Sequence, residues 1–320
     1  MSSGSNIEWT ETTWNPVTGC DRISPGCGGC YALSMAKRLK AMGSAKYQVD
    51  GDPRTSGPGF GVSVHPDVLT QPLRWREPRK VFVNSMSDLA HARVDRDFVA
   101  EVFAVMLAAR QHTFQVLTKR PKRLQRLLAD KEFRAAVARR ATSYGVAGEL
   151  ESSPWPVPNV WLGTSIEADA YCWRADTLRS TAAAVRFLSL EPLLGPLPSL
   201  DLTDIDWVIA GGESGPTARP MHPTWVRSIR DQCQRLGVAF FFKQWGSWQL
   251  VDEHPPAGDP TGQLPHRRPS RVTQTGAVGS PTDWVPGDAI MMRTRPALAG
   301  RQLDGRVWDQ YPVMPTGQRT

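Results

Sequence analysis

Six stretches of the chain are continuous apolar runs that end in polar or glycine-rich turns: KVFVNSMSD (80–88), TFQVLTKR (113–120), NVWLGTSIE (159–167), VRFLSLEP (185–192), DWVIAGGESG (206–215) and VAFFFKQWG (238–246). Unbroken rather than alternating hydrophobicity is the pattern of parallel strands buried on both faces. Amphipathic segments lie between them, including RDFVAEVFAVMLAARQ (96–111) and PTWVRSIRDQCQRLG (223–237), the second opening on Pro and closing on Gly. Repeated strand–helix–strand units imply right-handed crossovers and a parallel sheet. With a first strand near IEWTETTWNP (7–16) the count reaches about seven. The expected fold is α/β, a complete or partial parallel β/α barrel.

Two Pro- and Gly-rich regions interrupt this rhythm. Residues 43–79, with GDPRTSGPGFG and HPDVLTQPLRWREPRK, read as an insertion over one face of the barrel. Residues 251–320 read as a C-terminal extension that packs loosely on it or is partly disordered, leaving 1–250 as the barrel domain.

Composition narrows the function. The 320 residues are 40% hydrophobic, enough for a sizeable core. No basic stretch leads into an apolar run at the N-terminus, and no segment has the roughly 18 apolar residues of a membrane span. A cytoplasmic protein without membrane contact is expected. A net charge of +7 favours an anionic partner, a nucleic acid or nucleotide.

The five cysteines are distributed unevenly. Cys20, Cys27 and Cys30 share the turn GCDRISPGCGGCYA, spaced C-x6-C-x2-C, and its glycines give the backbone freedom for three thiolates to converge. Cys172 and Cys233 sit in helical segments and read as buried core thiols. A structural zinc site takes four protein ligands; three leave one position open, as in a catalytic centre, and an all-thiolate set suits an iron-sulfur cluster or zinc.

Polar residues cluster where the strands end: Asn84, Ser85, Ser87 and Asp88; Thr118, Lys119 and Arg120; Thr164, Ser165 and Glu167; Glu191; Glu213 and Ser214; Lys243 and Gln244. That end of a β/α barrel carries its chemistry. Lys119, Glu191, Glu213 and Lys243 are the candidate catalytic residues. Single members of the ring also serve as helix caps or rim ion pairs. Lys119, Arg120, Arg219 and Lys243 give a cationic mouth, and Trp75, Trp161 and Trp245 near loop or strand ends offer faces for base stacking.

A cysteine triad directly after the first strand resembles the radical S-adenosylmethionine (radical SAM) superfamily, although the commoner spacing there is C-x3-C-x2-C. More closely, SPGCGGCYA, NSMSDLAH, LTKRP, WLGTSIE, FLSLEPLLG, AGGESGPTARPMHPTWV and FFFKQWG, with LDGRVWDQYP near the end, resemble a phage-associated three-Cys-motif family of radical-SAM-like proteins. The resemblance implies a 4Fe-4S cluster on Cys20, Cys27 and Cys30, whose fourth iron binds the amino and carboxylate groups of SAM. Reductive cleavage of SAM then yields a 5′-deoxyadenosyl radical, with a flavodoxin or ferredoxin as electron donor. It further implies SAM contacts from Asn84, Ser85, Ser87 and Asp88, ribose contacts from Ser165 and Glu167, an adenine border at Gly211 and Gly212, and packing of Tyr31 on cluster or adenine. A modified or repaired nucleobase is the substrate that suits the charge, and peptide modification is left open beside it. The alternative is a non-catalytic zinc- or cluster-binding protein whose basic face binds nucleic acid.

Overall fold

The computed structural model describes residues 5, 7–146, 155–252 and 269–313. Seven parallel strands form one sheet in sequential order: β1 (Thr12–Trp14), β2 (Lys80–Val83), β3 (Thr113–Thr118), β4 (Val160–Ser165), β5 (Val185–Leu190), β6 (Trp207–Gly211) and β7 (Ala239–Gln244). β2 to β7 each fall on one of the six apolar runs, and β1 lies within IEWTETTWNP. β1 and β7 do not pair with each other, so the barrel is partial.

The sheet is strongly curled. In a flat sheet β2 and β6, four strands apart, would be separated by roughly 19 Å. Phe82 of β2 and Trp207 of β6 instead meet the same indole, Trp9, with centroids 4.7 and 6.3 Å from it. Trp9, Phe82, Trp161, Phe187, Trp207 and Phe241 form an aromatic plug inside the curl. A ring-filled interior is a packed core that gives the strand ends a solid floor.

The outer face carries α1 (Tyr31–Ala41), α2 (Arg96–Ala108), α3 (Pro121–Ala129), α4 (Lys131–Thr142), α5 (Trp173–Arg179) and α6 (Pro223–Leu236). Local chemistry sets their ends. Asp95 caps α2 by accepting from the Asp97 amide, and α6 opens on Pro223 and closes at Gly237 with φ 68°. Cys172 and Cys233 are buried in the main core. Among the described residues no helix is long and apolar enough to cross a membrane.

The earlier part of the 43–79 segment lies against α1 and the cysteine turn, and its later part packs on Trp14 and His112. Tyr47 and Phe60 pack with Ala32, Ala36 and Met86, flanked by Cys20 and Cys30. Strands β8 (Trp248–Asp252), β9 (Pro269–Val272), β10 (Val278–Gly279) and β11 (Ala289–Arg293) form an antiparallel sheet in the order β8-β11-β9-β10. Val272, Ala289 and Met291 reach the main core, and Trp225 Nε1 donates to the Gln274 carbonyl (2.6 Å). The continuous apolar run of β11, AIMM, buried at all four positions, decides this over the prolines nearby. Residues 253–268, the most Pro-rich part of the extension, lie outside the described residues.

Candidate functional site at the strand ends

A cavity of about 460 Å³ opens at the C-terminal ends of the strands. Cys20, Cys27 and Cys30 line it together with Asn84, Ser85, Ser87 and Asp88 after β2, Lys119 and Arg120 after β3, Ser165 of β4, Glu191 after β5, Gly212 and Glu213 after β6, and Lys243 of β7. Residues separated by more than 200 positions thus meet at one place, as barrel topology requires.

The cysteine turn is gripped from two sides by buried carboxylates. Glu167, wholly buried, accepts from Ser24 Oγ (2.5 Å), from Lys119 Nζ and from Arg174 Nη1 (3.0 Å). Glu213, 5% exposed, accepts from the Arg219 amide and guanidinium, and Arg219 Nη2 also donates to the Pro25 carbonyl (3.1 Å). Two glycines make this approach possible. A Cβ on Gly26 would lie 2.6 Å from Glu167 Cγ, and one on Gly29 would lie 2.5 Å from Glu213 Oε1.

Two of the three sulfurs touch a cation. Arg120 Nη1 lies 3.2 Å from Cys20 Sγ and Lys119 Nζ 3.7 Å from Cys27 Sγ. Burial opposes ionisation of Cys27, but Lys119 and hydrogen bonds at Ile23 and Ser24 outweigh it and hold the thiol below its usual range. Burial, reinforced by Asp88, pushes Cys20 up to about 12 despite Arg120, and burial raises Cys30. Asp21 anchors the start of the turn. Burial opposes its charge, yet Thr55, Arg93 and His91 hold its carboxyl down at about 2. Among the described residues no three His, Cys, Asp or Glu side chains gather around the position of a single metal ion.

The strand-end residues divide into engaged and open groups. Asp88 accepts from Ala90 N, Thr118 Oγ1, Lys119 N and Arg120 Nη1, which uses both oxygens. Glu167 does not line the cavity and lies behind the cysteine turn. Gly211 lies outside the lining beside Glu191, and Gly212 allows a backbone crossing, since a Cβ there would sit 2.1 Å from the Trp245 carbonyl. Asn84 is different. It is 2% exposed with φ 62°, and its Oδ1 accepts from the Val17 amide, while its buried Nδ2 has no partner. A buried amide with unused donors in a cavity wall can give them to a ligand or a water. Ser85 Oγ donates to Asn15 Oδ1, Ser87 Oγ to the Val17 carbonyl, and the half-exposed Tyr31 reaches from the cysteine turn to the Ser85 carbonyl (2.5 Å).

Across the cavity, Lys243 Nζ pairs with Glu191 Oε1 at 3.0 Å. Glu191 Oε2 accepts from Trp9 Nε1 (3.3 Å) and Ser189 Oγ (3.4 Å), so the pair stands directly on the aromatic plug. Burial works against the Lys243 charge, and Glu191 outweighs it and raises its pKa.

Two expectations for a substrate surface change. Lys119, Arg120, Arg219 and Lys243 are each paired with a carboxylate rather than being free cations. Arg22, exposed at the cavity rim, has no side-chain partner among the described residues. Nor do Trp75, Trp161 and Trp245 line the cavity. Trp161 packs edge-on to Trp207 in the plug, Trp245 packs on Phe242, and Trp75 on His112. Ser24, Arg174, Asn15 and Ser189 were not candidates by sequence. Ser24 and Asn15 act through partners 143 and 70 residues away, Ser189 and Arg174 through Glu191 and Glu167, two and seven residues away; Arg174 carries one further local signal, an arginine inside a helix that is otherwise half apolar.

A solved structure of spore photoproduct lyase complexed with dinucleoside spore photoproduct is similar over 93% of this chain and 72% of its own, with 12% identity and a TM-score of 0.38. No curated protein matches the sequence. The model of a family described as "Protein of unknown function (DUF5131)" matches residues 4–312, and the chain belongs to that family.

Proposed function

We propose that the protein is a radical SAM enzyme, with Cys20, Cys27 and Cys30 holding a 4Fe-4S cluster and SAM bound beside it. The observation that carries this reading is that three thiols of one turn line the same cavity as the polar ends of six consecutive strands, β2 to β7. The donor set fits the group: three soft thiolates from one glycine-bearing turn, with cations against two of the sulfurs. Held by Cys20, Cys27 and Cys30, a cluster would supply the one electron needed for reductive cleavage of SAM.

The chain's own residues bind, orient and shield. Asn84, with its free Nδ2, and Ser85, Ser87 and Ser165 supply hydrogen bonds to SAM. Asp88 and Glu167 act one step back, bracing the side chains that face the cysteines. Tyr31 closes one side of the mouth, and the Glu191–Lys243 pair offers the substrate an acceptor beside a donor. A nucleobase, free or within a nucleic acid, suits a basic chain whose unpaired rim cation is Arg22. The electron donor is a one-electron carrier of the flavodoxin or ferredoxin type.

Anaerobic reconstitution with iron, sulfide, dithionite and SAM tests the reading. A brown protein that releases 5′-deoxyadenosine, measured by chromatography, is expected. A protein that binds iron and sulfide yet leaves SAM intact would overturn the catalytic reading.

A further inference from the structure

We infer that Lys119 and Arg120 are dedicated counter-ions to the cluster's thiolates and set its reduction potential, with Glu167 and Asp88 as the positioning residues that fix them there. The inference rests on the proposed cluster but not on SAM chemistry.

The two residues are neighbours in sequence at the end of β3, yet each serves a different sulfur. Lys119 Nζ lies 3.7 Å from Cys27 Sγ and Arg120 Nη1 lies 3.2 Å from Cys20 Sγ. Each cation is tied to its own buried carboxylate, Lys119 to Glu167 and Arg120 to Asp88 at 2.9 Å. Each carboxylate is then locked by further donors: Ser24 and Arg174 for Glu167, Thr118 and the amides of Ala90 and Lys119 for Asp88. Arg120 Nη2 also donates to the Asp21 carbonyl (3.0 Å), so its guanidinium is held at both ends.

Cations held this firmly are poorly suited to gripping a mobile substrate. They are well suited to fixing a local field. The potential of an iron-sulfur cluster follows its net charge, hydrogen bonds to its sulfurs and its solvent exposure, and outer residues that orient ligands tune the centre. A positive charge or N–H donor at a sulfur stabilises the reduced, more negative state. Cys30 accepts no hydrogen bond from a cation among the described residues and feels the Lys119 charge only at longer range, so direct contact falls on two of the three ligands.

The test is an EPR-monitored redox titration of the reconstituted protein without SAM, for wild type, Lys119→Gln, Arg120→Gln and the conservative Lys119→Arg and Arg120→Lys. Each glutamine variant should lower the reduced-to-oxidised ratio at a fixed potential about tenfold, a 59 mV downward shift for a one-electron couple. The conservative variants should restore most of it. A merely structural role would change the amount of cluster held without moving the midpoint of what remains. Reduced-to-oxidised ratios within twofold of wild type at the same potential in both glutamine variants overturn the inference, as does a wild type that assembles no cluster. Should a glutamine variant hold no iron, its conservative partner decides: a midpoint below that of wild type supports the inference, and an unchanged midpoint or loss of iron there as well overturns it. A shifted midpoint in a protein that never cleaves SAM would sink the enzyme reading and leave this inference standing.

Discussion

Replacing Gly26 by alanine should disable the cysteine turn, whereas the same change at Gly29 should be mild. Neither glycine lies in the left-handed region, so the difference is one of space. At Gly26 the new Cβ meets Glu167 Cγ at 2.6 Å and Oε1 at 2.8 Å. Ordinary carbon contacts lie at about 3.5–4.0 Å, so roughly 1 Å must be found. Glu167 has no slack to give, being buried and tied to Ser24, Lys119 and Arg174. Tolerating the overlap costs about 1–3 kcal/mol as overpacking, and relieving it by breaking a buried pair costs about 3–5 kcal/mol. At Gly29 the Cβ meets only the tip of Glu213, and its partner Arg219 has a side chain 42% exposed that can swing outward. That change should cost about 1 kcal/mol or less. Urea unfolding followed by far-UV circular dichroism, with iron bound per chain measured in parallel, checks both. Equal midpoints, or a larger loss at Gly29, would refute the idea that Glu167 clamps the turn.

Alanine at Cys20, Cys27 or Cys30 should abolish iron and sulfide uptake in reconstitution, while alanine at Cys172 or Cys233 should leave it intact; iron retained in the first set would remove the site. Asn84→Asp keeps a residue that tolerates φ 62° and the acceptor for Val17, but loses the free Nδ2 donors. SAM affinity by equilibrium dialysis should fall about tenfold with iron content unchanged, on the order of one hydrogen bond to a charged group. Asp304, held below the usual carboxylate range first by its hydrogen bond to Arg227 and then by Arg230, ties the C-terminal segment to α6. Its folded pKa is lowered, so its contribution is present above the unfolded value and fades as pH falls through the folded one. The pair is partly exposed and screened, so Asp304→Asn should cost ~1 kcal/mol or less and flatten the acid limb of a stability-against-pH curve. An unchanged acid limb would show the tie to be unimportant.

The strands are legible in sequence because a buried parallel strand must be apolar throughout, and VAFFFKQ places β7 without any partner being known. The cysteine turn is legible for a similar reason, as its three thiols are local in the chain. Partnerships are not. Lys119 and Glu167 are 48 residues apart, and nothing in LTKRP says that its lysine faces a carboxylate and a sulfur rather than a phosphate. The tryptophans mislead for a physical reason: an indole near a strand end serves equally as a stacking face or as core, and curling of the sheet takes Trp161 into the plug while Trp245 and Trp75 pack on Phe242 and His112. In the extension, prolines mark the connections while the pairing is carried by short apolar runs such as AIMM.

A partial barrel leaves β7 with an open edge, and unpaired strand edges are a liability that folds must cover. LDGRVWDQYP provides the cover here. Phe242 N donates to the Trp308 carbonyl (2.8 Å) and Gln310 N to the Phe240 carbonyl (3.1 Å), so the segment runs antiparallel along β7. Tyr311 then reaches the plug, 5.1 Å from Trp207 and 5.7 Å from Phe241, and Lys80 of β2 lies 4.7 Å over its ring. One short segment therefore covers the β7 edge, packs against the aromatic floor and touches the far side of the curl. The same floor carries Glu191 and Lys243, so the position of that pair depends on residues near the chain's end. The motif belongs with the strand-end motifs because it holds the surface on which they stand.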